Sequence, residues 1–169
     1  QPNIEILKNL STHNLQWAAV GSIPKVSSLN KSNQITIKDI PLKNLPAWLG
    51  IDRALGVWGA FNKSSSKGEI SKGIILADAG TIMSLTCINS NGSFLGGQLT
   101  AGLRLNLSAM ANGTENLKDP GLIKELPKML PSQTTEAMKR GAIQSLIGTI
   151  NEAQQNFQMP LWLCGGDSY

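Results

Sequence analysis

Histidine occurs once in this chain of 169 residues, at His13, and cysteine twice, at Cys87 and Cys164. The cysteines lack Cys-x-x-Cys spacing and each ends an apolar, strand-like run. A zinc centre therefore fails for want of ligands, and both thiols read as reduced core residues of a cytosolic protein. His13 lies in a polar stretch with no nucleophile arranged around it, and reads as a surface residue. Basic residues are scattered, with Lys139-Arg140 the only adjacent pair and no interleaving with aromatics. Nucleic acid is thus not an expected partner. No apolar run reaches the roughly 18 residues of a membrane span, and no signal peptide opens the chain, so no membrane partner is expected either. Gly-x-x-x-x-Gly-Lys-Ser/Thr is absent, and no Gly-x-Gly-x-x-Gly follows a strand, which removes the P-loop and Rossmann readings. Internal repeats and low-complexity tracts are missing too. So is an initiator methionine: the chain runs from Gln1-Pro2-Asn3 to Gly165-Gly166-Asp167-Ser168-Tyr169, and both ends read as cut.

What remains is an ordinary globular composition, 41% hydrophobic and 15% charged, with a net charge of +4. The length suits one domain or two small lobes. The mild positive balance fits anionic small molecules, though weakly. Residues 1–14 are at best a short frayed helix. Leu15–Val20 reads as a strand closed by Gly21-Ser22-Ile23-Pro24, and Ile35–Ile37 as a short strand after a Ser/Asn/Lys-rich loop. Ala54, Val57, Trp58 and Phe61 share one helical face. Ile74–Ala77 is a buried central strand, and Met83, Leu85 and Cys87 alternate on a paired strand returned by Asn89-Ser90-Asn91-Gly92. Leu103, Leu107 and Met110 share a second helical face. The longest helix opens at Thr134 or Thr135, carries Met138, Ala142, Leu146 and Ile150 to a core, and frays near Asn156. Leu161–Cys164 is a last buried strand. Strands alternate with helices, and Gly21, Gly80 and Gly165 follow three of them. That pattern predicts an α/β fold with its ligand at the strand ends.

Two constellations carry chemistry. In Gly50-Ile51-Asp52-Arg53, at the head of a helix, Asp52 is placed to take a proton from a substrate hydroxyl. Arg53 beside it offers a planar fork for a carboxylate or phosphate. The plainer alternative makes Asp52 an N-cap and Arg53 a solvated first-turn residue. In Asp78-Ala79-Gly80-Thr81, a carboxylate, a hydroxyl and exposed backbone amides suit a cation and a phosphate, against a plain hairpin corner. Gly96-Gly97 and Gly165-Gly166 are further places for backbone to lie against a nucleotide, or simply tight turns. Thr134 reads first as a helix cap.

Taken in order, these pieces resemble the type III pantothenate kinases, of the actin/hexokinase/Hsp70-like superfamily. The resemblance rests on Gly-Ile-Asp-Arg (50–53), Asp-Ala-Gly-Thr (78–81), Gly-Gly-Gln-Leu-Thr-Ala-Gly-Leu (96–103), Gln-Thr-Thr-Glu-Ala (133–137) and Gly-Gly-Asp (165–167). Ala18–Pro24 is similar to the family's strand ending in a Ser-Val-x-Pro turn. The resemblance implies ribonuclease H-like (actin-like ATPase) lobes, mixed sheets flanked by helices. Residues 1–60 would hold the remainder of an N-terminal lobe with its connecting helix, and 61–169 a C-terminal lobe incomplete at its end. It implies transfer of the ATP γ-phosphate to pantothenate, the first step toward coenzyme A, with Asp52 as general base. Gly50, Ile51, Asp52, Arg53 and Thr134 would bind pantothenate, Thr81 would contact ATP, and Asp78 would hold a monovalent cation, potassium or ammonium. A divalent cation, magnesium for choice, would accompany ATP, in a cytoplasmic homodimer. The family's opening Asp-x-Gly-Asn turn has no counterpart before Asp78, and Ala101 stands where proline is usual. A non-catalytic member serving as a binding or regulatory accessory protein is the alternative.

Overall fold

Ile74 to Ile88 is apolar enough to be buried on both faces, and around it the computed structural model builds a sheet. The structure describes residues 4–9, 15–23, 25–26, 28–121, 123 and 125–168. Strands β1 (Ile74–Ala79), β2 (Ile82–Ile88), β3 (Phe94–Ala101) and β4 (Leu161–Cys164) lie in the order β3-β2-β1-β4. The first three form an antiparallel meander; β4 returns parallel to β1. The helices are α1 (Ile4–Asn9), α2 (Ile51–Ser66), α3 (Leu103–Asn112) and α4 (Thr134–Phe157). Parallel pairing needs a crossover, and α3 and α4 lie on the path between β3 and β4. The result is a mixed α/β unit, consistent with a lobe of the actin-like ATPase type.

The two faces of the sheet have separate roles. Side chains alternate along a strand, so Ile74, Leu76 and Asp78 share a face with their partners Ile88, Thr86 and Ser84. Val57 and Ala60 of α2 close over Ile74, Leu76 and Ile88 on that face. The helix is anchored there by Trp162 Nε1, which donates to the fully buried Ser64 Oγ at 2.6 Å. On the opposite face Ile75, Ala77, Leu85 and Cys87 receive Ile150 and Ala153 of α4. Earlier in α4, Met138 and Ala142 pack on Leu107 of α3, with Leu103 and Met110 beside it. The helical faces expected from spacing are thus the buried ones. The other flank of α2, Ala54 with Trp58, is covered by Ile40 and Leu49 of the preceding segment.

That preceding segment departs from expectation. Leu15–Val20 is not a strand: only an isolated bridge joins Trp17 to Gln34. Ile35–Ile37 is not one either. Ile37–Asp39 is a 3-10 turn, because Asp39 Oδ2 accepts from both the backbone N–H (2.8 Å) and the hydroxyl (2.7 Å) of Thr36. Such local side-chain bonds offer the backbone an alternative to a strand ladder. The short helix expected before residue 15 is α1, while His13 lies outside the described residues. The Asn89–Gly92 return is present, with Asn89 Oδ1 accepting from the N–H groups of Asn91 and Ser93.

Candidate active site

Helix α2 begins over the middle of β2 and β3. Arg53 lies over Leu85 and Thr86, and Val57 and Ala60 lie further along over Ile74 and Ile88. Gly50 is the N-cap of α2, so Asp52 is not the cap; it is the second residue of the first turn. Its side chain is exposed, and Oδ1 accepts from the Arg53 N–H at 2.8 Å. A carboxylate there is favoured by the unpaired N–H groups of the helix start.

Arg53 is not a solvated first-turn residue: it is only 8% exposed. Nη2 donates to the Leu85 carbonyl and to Thr86 Oγ1, each at 3.3 Å, while the buried Nε has no partner. Burial pulls the guanidinium below its ordinary pKa, and the neighbouring Asp52 charge opposes that shift.

Asp78 stands in a cross-strand row, paired with Ser84 on β2 and Cys164 on β4. It is half-buried and has no ion-pair partner among the described residues. Burial pushes the Cys164 thiol up, and the charge and hydrogen bonding of Asp78 add to this, so the thiol stays protonated beside the carboxylate. The turn Gly80-Thr81 after β1 is clasped from two sides. Gly102 N, at the start of α3, donates to Thr81 O at 2.9 Å, and Asp167 N donates to Ala79 O at 2.9 Å. Gly102 allows this approach, because a Cβ there would collide with the Gly80 carbonyl. The α3 N-terminus has no side-chain cap. It faces two adjoining cavities, one of about 360 Å³ bounded by Thr81, Arg104, Ser108 and Asp119, the other of about 430 Å³ bounded by Arg104, Ile123, Glu125 and Asp167.

Asp78 and Thr81 thus lie together at the end of β1, while Asp52 and Arg53 head a helix that meets the sheet at Leu85 and Thr86, in the middle of β2. Thr134 is the exposed first residue of α4, whose later residues cover the opposite face. It is not a cap, since Gln133 occupies that position without a side-chain bond. Gly96 and Gly97 lie within β3 rather than in a turn. Spacing alone did not single out Arg104 or Thr86. The signal for Arg104 was its place one residue past the Gly-Gly…Gly-Leu stretch; Thr86 carries none beyond being a polar residue in an apolar strand.

The profile of the family described as type III pantothenate kinase matches residues 21–156. The chain belongs to the type III pantothenate kinase family. A type III pantothenate kinase of Thermosynechococcus vestitus is 34% identical over 124 residues, covering 73% of this chain and 46% of that protein. Another, from Synechococcus sp., is 32% identical over 167 residues, covering 90% and 61%. The chain thus spans about half the length of the curated relatives it matches. A crystal structure from Campylobacter jejuni, described as a conserved Baf family transcriptional activator, superposes with a TM-score of 0.62 at 19% identity. The match covers 99% of this chain and 75% of that one, and it shows a shared fold.

Proposed function

We propose that the protein to which this chain belongs phosphorylates pantothenate with ATP, the first step of coenzyme A formation. The observation that supports the reading is the pairing of an exposed Asp52 with a buried, incompletely hydrogen-bonded Arg53 at the head of α2, within a chain whose family is named for that reaction. Asp52 is the general base. Exposed at the helix start, it accepts the proton of the primary hydroxyl as that oxygen attacks the γ-phosphorus in line. Gly50, Ile51 and Arg53 complete the pantothenate site, with Arg53 directed to the substrate carboxylate. The two cavities beside Thr81 and Arg104 suit ATP: Thr81 and the uncapped start of α3 face its phosphates, and the larger adjoining cavity takes the nucleoside.

Asp78 fits a monovalent cation, potassium or ammonium, because it is a half-buried carboxylate with no ion-pair partner among the described residues. The cation would add positive charge beside the phosphates. Among the described residues no cluster of three or more His, Cys, Asp or Glu forms a protein cage for a metal. That suits a magnesium ion that arrives with ATP and keeps most of its waters. Thr134, exposed at the start of α4, contacts pantothenate on this reading, in a site near the interface of a homodimer. On this reading residues 1–60 belong to the N-terminal lobe and its connecting helix, residues 61–169 to the C-terminal lobe, and α2 runs unbroken across that boundary. The compartment is the cytoplasm; among the described residues no helix is long and apolar enough to cross a membrane. The accessory-protein alternative gains nothing from the Campylobacter jejuni likeness, which carries fold alone.

Asp52→Asn tests the assignment. With ATP, pantothenate and potassium, turnover should fall at least about a hundredfold, the usual scale for a lost general base. Pantothenate binding by calorimetry should change little. Turnover close to wild type in that variant would remove Asp52 from the role.

A further inference from the structure

The Arg53 guanidinium is held at one end only. Both hydrogen bonds come from Nη2, to the Leu85 carbonyl and Thr86 Oγ1, and the buried Nε–H is left without a partner. Thr86 is 1% exposed and sits in the middle of β2, opposite Leu76 on one side and Gly97 on the other. A polar side chain so placed loses its hydration, and the Arg53 contact compensates. Gly97 completes the slot. A Cβ there would stand 2.7 Å from Arg53 Nη2 and would also run into the Leu85 carbonyl.

We infer that Thr86 is a positioning residue for the pantothenate site: its hydroxyl, with the Leu85 carbonyl and the side-chain-free Gly97, fixes the Arg53 guanidinium in the orientation that receives the substrate anion. This deepens the proposed pantothenate site and rests on that reading. The physical basis is preorganisation. Two acceptors on one nitrogen fix both the position and the plane of the fork, so little rotamer freedom is left to lose when an anion binds.

Thr86→Val removes the hydroxyl and keeps the branched shape a strand prefers; Thr86→Ser keeps the hydroxyl. On the full-length enzyme, Thr86→Val should raise the KM for pantothenate about tenfold or more, the scale of a hydrogen bond to a charged group. The kcat should fall much less, and Thr86→Ser should return the KM to within about threefold of wild type. Gly97→Ala should raise KM at least as far. A second readout needs no turnover: the Arg53 Nε–H signal in 15N–1H spectra, assigned by its loss in Arg53→Lys. It should shift and exchange with solvent faster in Thr86→Val, and be restored in Thr86→Ser. An unchanged pantothenate KM in an active Thr86→Val enzyme overturns the proposal, as does an Nε–H signal that does not move. A wild-type protein that fails to phosphorylate pantothenate overturns the functional reading instead, and the spectra still decide whether Thr86 orients Arg53.

Discussion

Replacing Gly102 by alanine should loosen the clasp that holds the Gly80-Thr81 turn against α3. The backbone at Gly102 is extended (φ −68°, ψ 176°), a conformation alanine adopts freely, so the substitution is a purely steric probe. The added Cβ meets the Gly80 carbonyl and comes 2.7 Å from Thr81 O and 2.9 Å from Thr81 C. These are backbone atoms that cannot swing aside. Overpacking of this kind costs about 1–3 kcal/mol. Parting the segments also weakens the Gly102 N to Thr81 O bond, about 1 kcal/mol. The loss of unfolded-chain freedom from glycine to alanine offsets roughly 0.4–1 kcal/mol. The net is a destabilisation of about 1–3 kcal/mol, or roughly 2–12 °C in Tm for a chain of this size. Urea unfolding should show a lowered midpoint at unchanged slope. Gly148→Ala is the control. It lies in α4 with nothing within 4 Å of the added Cβ, and should stabilise by about 0.4–1 kcal/mol. Because α3 also carries Arg104, Gly102→Ala should raise the KM for ATP several-fold or more, whereas Gly148→Ala should not. If Gly102→Ala matches wild type in stability and in ATP KM, the contact between α3 and the turn does not organise the site.

Two further outcomes follow from individual groups. Exchanging potassium for sodium should lower turnover, and Asp78→Asn should abolish the difference between the ions; an Asp78→Asn enzyme that still discriminates places the cation elsewhere. Burial raises the Cys87 thiol above its ordinary value of 9.0. A raised folded-state pKa gives stability that is complete below about pH 9 and lost as pH rises through the higher folded value, because the unfolded thiol ionises first. Stability measured by urea unfolding should therefore fall more steeply above pH 9 in wild type than in Cys87→Ala, although the variant is weaker at neutral pH. Parallel alkaline limbs would show that Cys87 does not contribute.

The helices and central strands were legible in the sequence because their signals are local. The spacing of Ala54, Val57, Trp58 and Phe61 dictates one buried face whatever it packs against. The apolar run into Asp78-Ala79-Gly80-Thr81 can only be a strand reaching a turn. The pairing of Asp52 with Arg53 was also visible, since adjacency needs no folding. The failures arose where local chemistry competed with pattern. Leu15–Val20 and Ile35–Ile37 have strand composition, but Asp39 draws the backbone of Thr36 into a turn, and the one bridge at Trp17 does not extend into a ladder.

What the sequence by itself determined is the inventory: a carboxylate and a guanidinium at a helix start, a second carboxylate at a strand end, and glycines where backbones must meet. Tertiary structure alone decided their geometry. Arg53 looks solvent-facing in a first helical turn, yet α2 lies down on β2 and buries it against Leu85 and Thr86, 32 and 33 residues further along the chain and invisible to any spacing rule. Hydrophobic periodicity specifies which face of an element is covered. What covers it depends on how the elements pack, and here that packing sets which groups reach the site.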